Sequence, residues 1–202
     1  MSRKTIRIAA TALAVAGALS PTSVPATAAP LTPELAITTG GSFGRLGPLT
    51  DLVVERLLVG DDVAAAKFGT SSPIDDPARE QQVLDQVRKQ AVALGVAPDA
   101  AAAFFRDQIT ASKVVQRGLF ARWTAHPDEA PTTRPDLGQI RTRLDRLTTE
   151  LLGQLKATQD VRAQRVPCTV QLALATASAA VLQDLDALHR QALGTAVRST
   201  CG

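Results

Sequence analysis

PDAAAAFFRDQITASKVVQRGLFARW, residues 98–123, decides the fold. Phe105, Ile109, Leu119, Phe120 and Trp123 return at the period of a helix with one buried face, and Pro98-Asp99 supplies a start signal. The same period extends in both directions. Downstream, Leu137, Ile140, Leu144, Leu147, Leu151 and Leu155 form the most regular apolar stripe of the chain, beginning near Asp136. Upstream, Asp76 as N-cap and Pro77 at the first helical position open a helix that carries Leu84, Val87, Ala91 and Leu94 and stops at Gly95. An earlier helix spans about Leu49 to Phe68, with Leu49, Leu52, Val53 and Val63 on its apolar side, and Ser71-Ser72-Pro73 breaks it. Residues 126–135 form a proline-rich loop. Pro167 reads as an interruption, after which two helical segments, about 169–180 and 181–199, are expected. The pattern predicts an all-α, single-domain bundle of about six helices over residues 49–202, preceded by a flexible Gly/Thr/Pro-rich lead-in at 29–48.

Composition agrees. Of 202 residues, 45% are hydrophobic and only 3% aromatic, with no Tyr, so Ala and Leu carry the apolar content and strands are disfavoured. Residues 1–28 have the three parts of a secretory signal: a basic start (Arg3, Lys4, Arg7), an apolar run from Ile8 to Leu19, and Ala26-Thr27-Ala28 as a small-x-small cleavage site. A secreted or periplasmic location follows. The run is too short to span a bilayer, and no later stretch holds eighteen uninterrupted apolar residues, so no membrane association is expected after cleavage. The leader's three cations account for the whole formal charge of +3, leaving the body neutral and without the basic excess of a nucleic-acid binder. In an oxidising compartment Cys168 and Cys201 can form one bond that staples the C-terminal helical hairpin; two separate buried thiols are the alternative.

Polar residues interrupt the core stripes. Ser112 and Gln116 stand one turn apart in the middle of the 98–123 stripe, where a hydroxyl and an amide need partners. They fit either an inter-helix hydrogen bond or the wall of a polar pocket. Arg56 and Lys67, eleven residues or three turns apart, share the face of Leu52, Val53 and Val63. Arg141 borders the stripe between Ile140 and Leu144, and Arg79 lies in the first turn of its helix. Singly, each is a snorkelling cation. Together they suit a compact anion with more than one carboxylate or phosphate. Metal, nucleotide and triad motifs are absent, so no cofactor or metal is expected. His126 and His189 read as solvent-facing, and Asp61-Asp62 and Asp75-Asp76 as turn and cap residues.

The ordered set of Arg56, Lys67, Pro73-Ile74-Asp75-Asp76, Arg79-Glu80, Phe105-x-x-Gln108-Ile109-x-x-Ser112-x-x-x-Gln116 and Arg141 resembles the all-helical chorismate mutases, in particular their secreted gamma subclass. The resemblance runs from about Leu49 to Cys201. It implies conversion of chorismate, a small dianion, to prephenate without a cofactor, in a homodimer whose sites are each built within one chain. It also implies that Arg56, Arg79 and Arg141 grip the substrate. Lys67 and Gln116 would flank its ether oxygen, Ser112 would contact it, and Asp76 and Glu80 would lie near the ring hydroxyl. In some secreted relatives the Gln116 position is Glu and the Val83 position polar, and this chain departs from both. An isochorismate pyruvate-lyase of the same fold, or an inactive secreted helical binding module, is the alternative reading.

Overall fold

A computed structural model describes residues 41–201; the expected signal peptide and most of the lead-in lie outside the described residues. Among these residues there are seven α-helices and no strand. They are α1 (Gly47–Lys67), α2 (Pro77–Leu94), α3 (Pro98–Ala125), α4 (Leu137–Ala157), α5 (Gln159–Arg162), α6 (Arg165–Leu182) and α7 (Ala187–Ala196), with a 3₁₀ turn at Pro127–Glu129. The helix beyond the expected six is α5, a single turn without a periodic stripe. Where the lead-in is described it is held: the Ser42 N–H donates to Asp51 and the Phe43 N–H to Ser178 Oγ.

Local chemistry sets the boundaries. Asp76 accepts from the Arg79 N–H, Asp136 from the Gln139 N–H and Asp186 from the His189 N–H, capping α2, α4 and α7. Gly95 ends α2 in the left-handed conformation that glycine adopts without strain (φ 67°). α1 lies at the centre, against α3, α4, α6 and α7, while α3 also carries α2 and α7. Leu49, Val53, Val54, Phe104, Phe105 and Leu151 are fully buried where these helices meet. At the α3–α7 crossing a Cβ on Gly118 would sit 2.5 Å from the Leu188 side chain, which would have to turn aside to admit it.

Pro167 does not interrupt a helix. It occupies the first turn of α6, where its missing N–H has no intrahelical acceptor to lose, and the true break lies at Ala163–Gln164. On length and composition alone α6 could cross a membrane. Its Cys168, Ala175, Ser178 and Ala179 are nonetheless buried against the bundle. Cys168 and Cys201 are joined as a disulfide across 33 residues, closing α6 and α7 into a stapled hairpin. Closing a loop of that size restricts the unfolded chain by about 3–4 kcal/mol. Reduction should therefore lower the melting temperature by roughly 6–16 °C, read by calorimetry with and without dithiothreitol.

His189 corrects the expectation that both histidines face solvent. His126 is exposed, but His189 is buried on α7. Its Nδ1 lies 2.7 Å from Asp186 and its Nε2 3.0 Å from Asp61 in the middle of α1, so each ring nitrogen donates to a carboxylate. The Asp61 hydrogen bond leads in raising its pKa from 6.5 to about 9, with burial opposing and Asp186 reinforcing. A pKa raised by folding stabilises the protein fully below the unfolded value and loses that contribution as pH rises through the folded one. His189→Gln should thus cost about 1–2 kcal/mol at pH 6 after discounting the half-exposed carboxylates, and the gap to the parent should narrow by pH 10 in urea melts. Asp61 and Asp62 are correspondingly helix-interior residues that pair with His189 and Arg143, not turn residues.

Candidate active site

A cavity of about 300 Å³ opens between α1, α2, α3 and α4. All eight residues singled out in the sequence line it: Arg56, Lys67, Asp76, Arg79, Glu80, Ser112, Gln116 and Arg141. Helical spacing delivers them. The three turns between Arg56 and Lys67 keep both on one face of α1, and the single turn between Ser112 and Gln116 does the same on α3.

The cations differ in their surroundings. Arg56 is buried at the floor, its guanidinium 5.7 Å from the Phe105 ring centre and donating to the Leu144 carbonyl at 3.3 Å. Burial lowers its pKa to about 10, opposed by the field of Asp145. That is the signature of a cation held without a carboxylate bonded to it. Lys67 is half-buried and donates one N–H to the Pro73 carbonyl at 2.8 Å, leaving two for another acceptor. Its pKa is lowered by burial first, with Asp76, Asp75 and Glu80 opposing and Arg141 adding to the effect. Arg79 and Arg141 are exposed at the mouth. The chamber is therefore open on one side, not sealed.

The polar interruption of α3 also has an account. The Gln116 amide donates to Ser112 Oγ at 3.1 Å, while its buried carbonyl oxygen has no partner among the described residues. Because a hydroxyl both donates and accepts, turning the amide over keeps this bond and presents the N–H₂ group instead of the unpartnered oxygen. Ser112 thus holds one end of the amide while the other stays available.

The carboxylates are engaged. Asp76 caps α2 with its side chain. Glu80 is bridged by Lys113 Nζ at 3.0 Å to each oxygen. Lys113 also reaches Asp75 at 3.2 Å, and Asp75 in turn accepts from Arg117. This network pins the segment after α1 that forms one cavity wall. Sequence reading missed Lys113, because its partners are 33 and 38 positions away and one cation on a polar flank carries no signal. It also gave no role to Gln108, which lines the cavity and donates to the Ala196 carbonyl at 2.8 Å. Its bond ties α3 to the end of α7.

Five cations and three carboxylates line the cavity, an excess of two positive charges. No metal-binding group of His, Cys, Asp and Glu occurs among the described residues.

The profile of the family described as chorismate mutase type II matches residues 48–117, from the start of α1 into α3. A secreted chorismate mutase of Mycolicibacterium smegmatis is 34% identical over 81% of this chain and 90% of its own length. One from Mycobacterium tuberculosis is 35% identical over 86% and 85%. The crystal structure of a chorismate mutase from Burkholderia thailandensis, 39% identical, superposes with a TM-score of 0.73 over 78% of this chain and 99% of that one. Sequence, fold and cavity agree, and the chain belongs to the chorismate mutase type II family.

Proposed function

We propose that the protein is an exported chorismate mutase, converting chorismate to prephenate within one chain's cavity. The observation that carries this reading is the excess of two cationic groups around a cavity of small-molecule size, which matches a dianion. The reaction is a unimolecular [3,3] rearrangement: the ether C–O bond breaks as a C–C bond forms, with no water, proton or redox partner. Such a site needs no nucleophile. It needs to fold its substrate into the chair-like reactive conformer and to stabilise the charge that grows on the ether oxygen. Arg56 at the floor and Arg79 and Arg141 at the mouth take the carboxylates. The two remaining Lys67 N–H groups and the turned Gln116 amide donate to the ether oxygen. Glu80, already neutralised by Lys113, accepts from the ring hydroxyl, with Asp76 beside it. Ser112 keeps the Gln116 amide in place.

The leader at residues 1–28 together with the secreted relatives supports export. A homodimer with a self-contained site in each chain is the assembly that the family resemblance implies. The test is to incubate the chain lacking residues 1–28 with chorismate and, separately, with isochorismate. Prephenate from the first is expected. Release of pyruvate from the second at a higher rate would make the protein a lyase instead, and no turnover of either would leave a binding module.

The amide at position 116 also fixes the pH profile. It donates without titrating, so turnover should stay flat from about pH 5 to 8. It should fall in alkali at a lower pH than an ordinary lysine would give, because burial depresses the Lys67 pKa. Gln116→Glu must be protonated to donate, so its turnover should drop about tenfold per pH unit once its carboxyl ionises. A profile for Gln116→Glu that parallels the parent would remove Gln116 from the ether oxygen.

A further inference from the structure

We infer, resting on the chorismate reading above, that Lys113 is a positioning residue of this site. It holds the Glu80 carboxylate in place for the substrate's ring hydroxyl and cancels its charge, without touching the substrate.

Two lysines line the cavity, and their bonding differs. Lys67 gives one N–H to the Pro73 carbonyl and keeps two. Lys113 keeps none. Its ammonium lies 3.0 Å from Glu80 Oε1, 3.0 Å from Glu80 Oε2 and 3.2 Å from Asp75 Oδ1, three acceptors for three N–H groups. It has no donor left for a ligand.

Glu80, by contrast, has one acceptor position to spare. A carboxylate offers about four, two on each oxygen. Oε1 takes Lys113 and also the Asp76 N–H, the latter at 3.3 Å, whereas Oε2 takes Lys113 alone among the described residues. The geometry therefore assigns the ring hydroxyl to Oε2.

Charge explains why a lysine stands here. A carboxylate without a counter-ion would repel a doubly negative substrate in the same cavity. Lys113 removes that repulsion and leaves the lone pair on Oε2 in place. The side chains of Lys113 and Glu80 are only 18% and 28% exposed, too shielded for water to stand in for either partner. Without Lys113 the cavity's excess of two positive charges falls to one.

The register of α3 sets this arrangement. Lys113 stands about 100° round the helix from Ser112, so it reaches α2 while the Ser112–Gln116 pair faces the cavity. Arg117, one turn on, holds Asp75 as well, its Nη2 lying 2.8 Å and 2.7 Å from the two carboxylate oxygens. Asp75 thus keeps an anchor when Lys113 is lost, and the wall that carries the Pro73 carbonyl stays beside Lys67. The ring hydroxyl does not react, and the charge that Lys113 balances acts on the bound substrate before and during the rearrangement alike. Losing Lys113 therefore weakens ground state and transition state equally, which appears in KM.

The test is steady-state kinetics on chorismate with the chain lacking residues 1–28, alongside thermal melts. Lys113→Met should raise KM about tenfold with kcat within about threefold of the parent. Lys113→Arg keeps the charge and spans both Glu80 oxygens, so its KM should return to within about threefold of the parent. In a Glu80→Gln background there is no charge to balance, and adding Lys113→Met should change KM by less than about threefold. That comparison also serves if Lys113→Met alone fails to fold, because the double variant leaves no unpaired carboxylate at position 80. A tenfold rise in KM repeated in the Glu80→Gln background, or a fall in kcat at constant KM, would put Lys113 on the substrate itself and overturn the proposal. Parental kcat and KM in Lys113→Met would overturn it too. A parent that does not turn over chorismate removes the catalytic reading first, before any variant is compared.

Discussion

Lys67→Ala should lower kcat/KM for chorismate by about a thousandfold or more while leaving the melting temperature within a few degrees of the parent. The ammonium is half-buried and its one hydrogen bond among the described residues goes to the Pro73 carbonyl, so truncation sacrifices little bonding. In the proposed mechanism its other two N–H groups serve the transition state, where charge on the ether oxygen is greatest. Removing one preorganised donor at such a place costs about 10²–10³, and a charged donor in a partly water-excluded cavity stands at the upper end. The loss should appear mainly in kcat, because an interaction that strengthens in the transition state contributes little to ground-state binding. Steady-state kinetics with a thermal melt on the same preparations decides it. An unchanged kcat with a raised KM would make Lys67 a carboxylate binder instead.

Arg56→Met should lower kcat/KM by at least about a hundredfold and should leave the empty protein as stable as the parent, or more so. Here the two readouts move apart. Arg56 is buried over Phe105, its side chain bonded among the described residues only to the Leu144 carbonyl, and burial holds its pKa down at about 10. A desolvated cation without a bonded carboxylate destabilises the empty fold, and an apolar side chain of similar length removes that penalty without leaving a hole. The guanidinium is retained, in this account, for the substrate carboxylate. Urea melts of both proteins, together with the rise in melting temperature that a dianionic inhibitor gives the parent and not the variant, provide the check. A variant that retains parental turnover, or that unfolds several kcal/mol more easily, would make Arg56 a structural residue.

Much of the site was legible in the sequence because it is built from helical registers. Arg56 with Lys67, and Ser112 with Gln116, share faces by spacing alone, and the Asp76-Pro77 start fixes where Arg79 and Glu80 fall. Misplaced apolar-stripe positions, polar or charged, marked the cavity wall. The failures came where one group's meaning depends on a partner far away in the chain. His189 reads as a surface residue until Asp61, 128 positions earlier, is brought beside it by the packing of α7 on α1. Lys113 and Gln108 are of the same kind, with partners on α2 and at the end of α7. Pro167 misled for a different reason: a proline breaks a helix interior but suits a first turn, and only the true start of α6 at Arg165 tells the two apart.

The convergence of α1, α2, α3 and α4 on one folded dianion is tested most directly by a crystal structure with a bicyclic ether dicarboxylate that mimics the chair-shaped transition state. The ether oxygen should lie within hydrogen-bond distance of both Lys67 Nζ and Gln116 Nε2, with the carboxylates against Arg56 and the arginines at the mouth. A ligand bound elsewhere, or one seated in this cavity with its ether oxygen turned away from residues 67 and 116, would contradict the account.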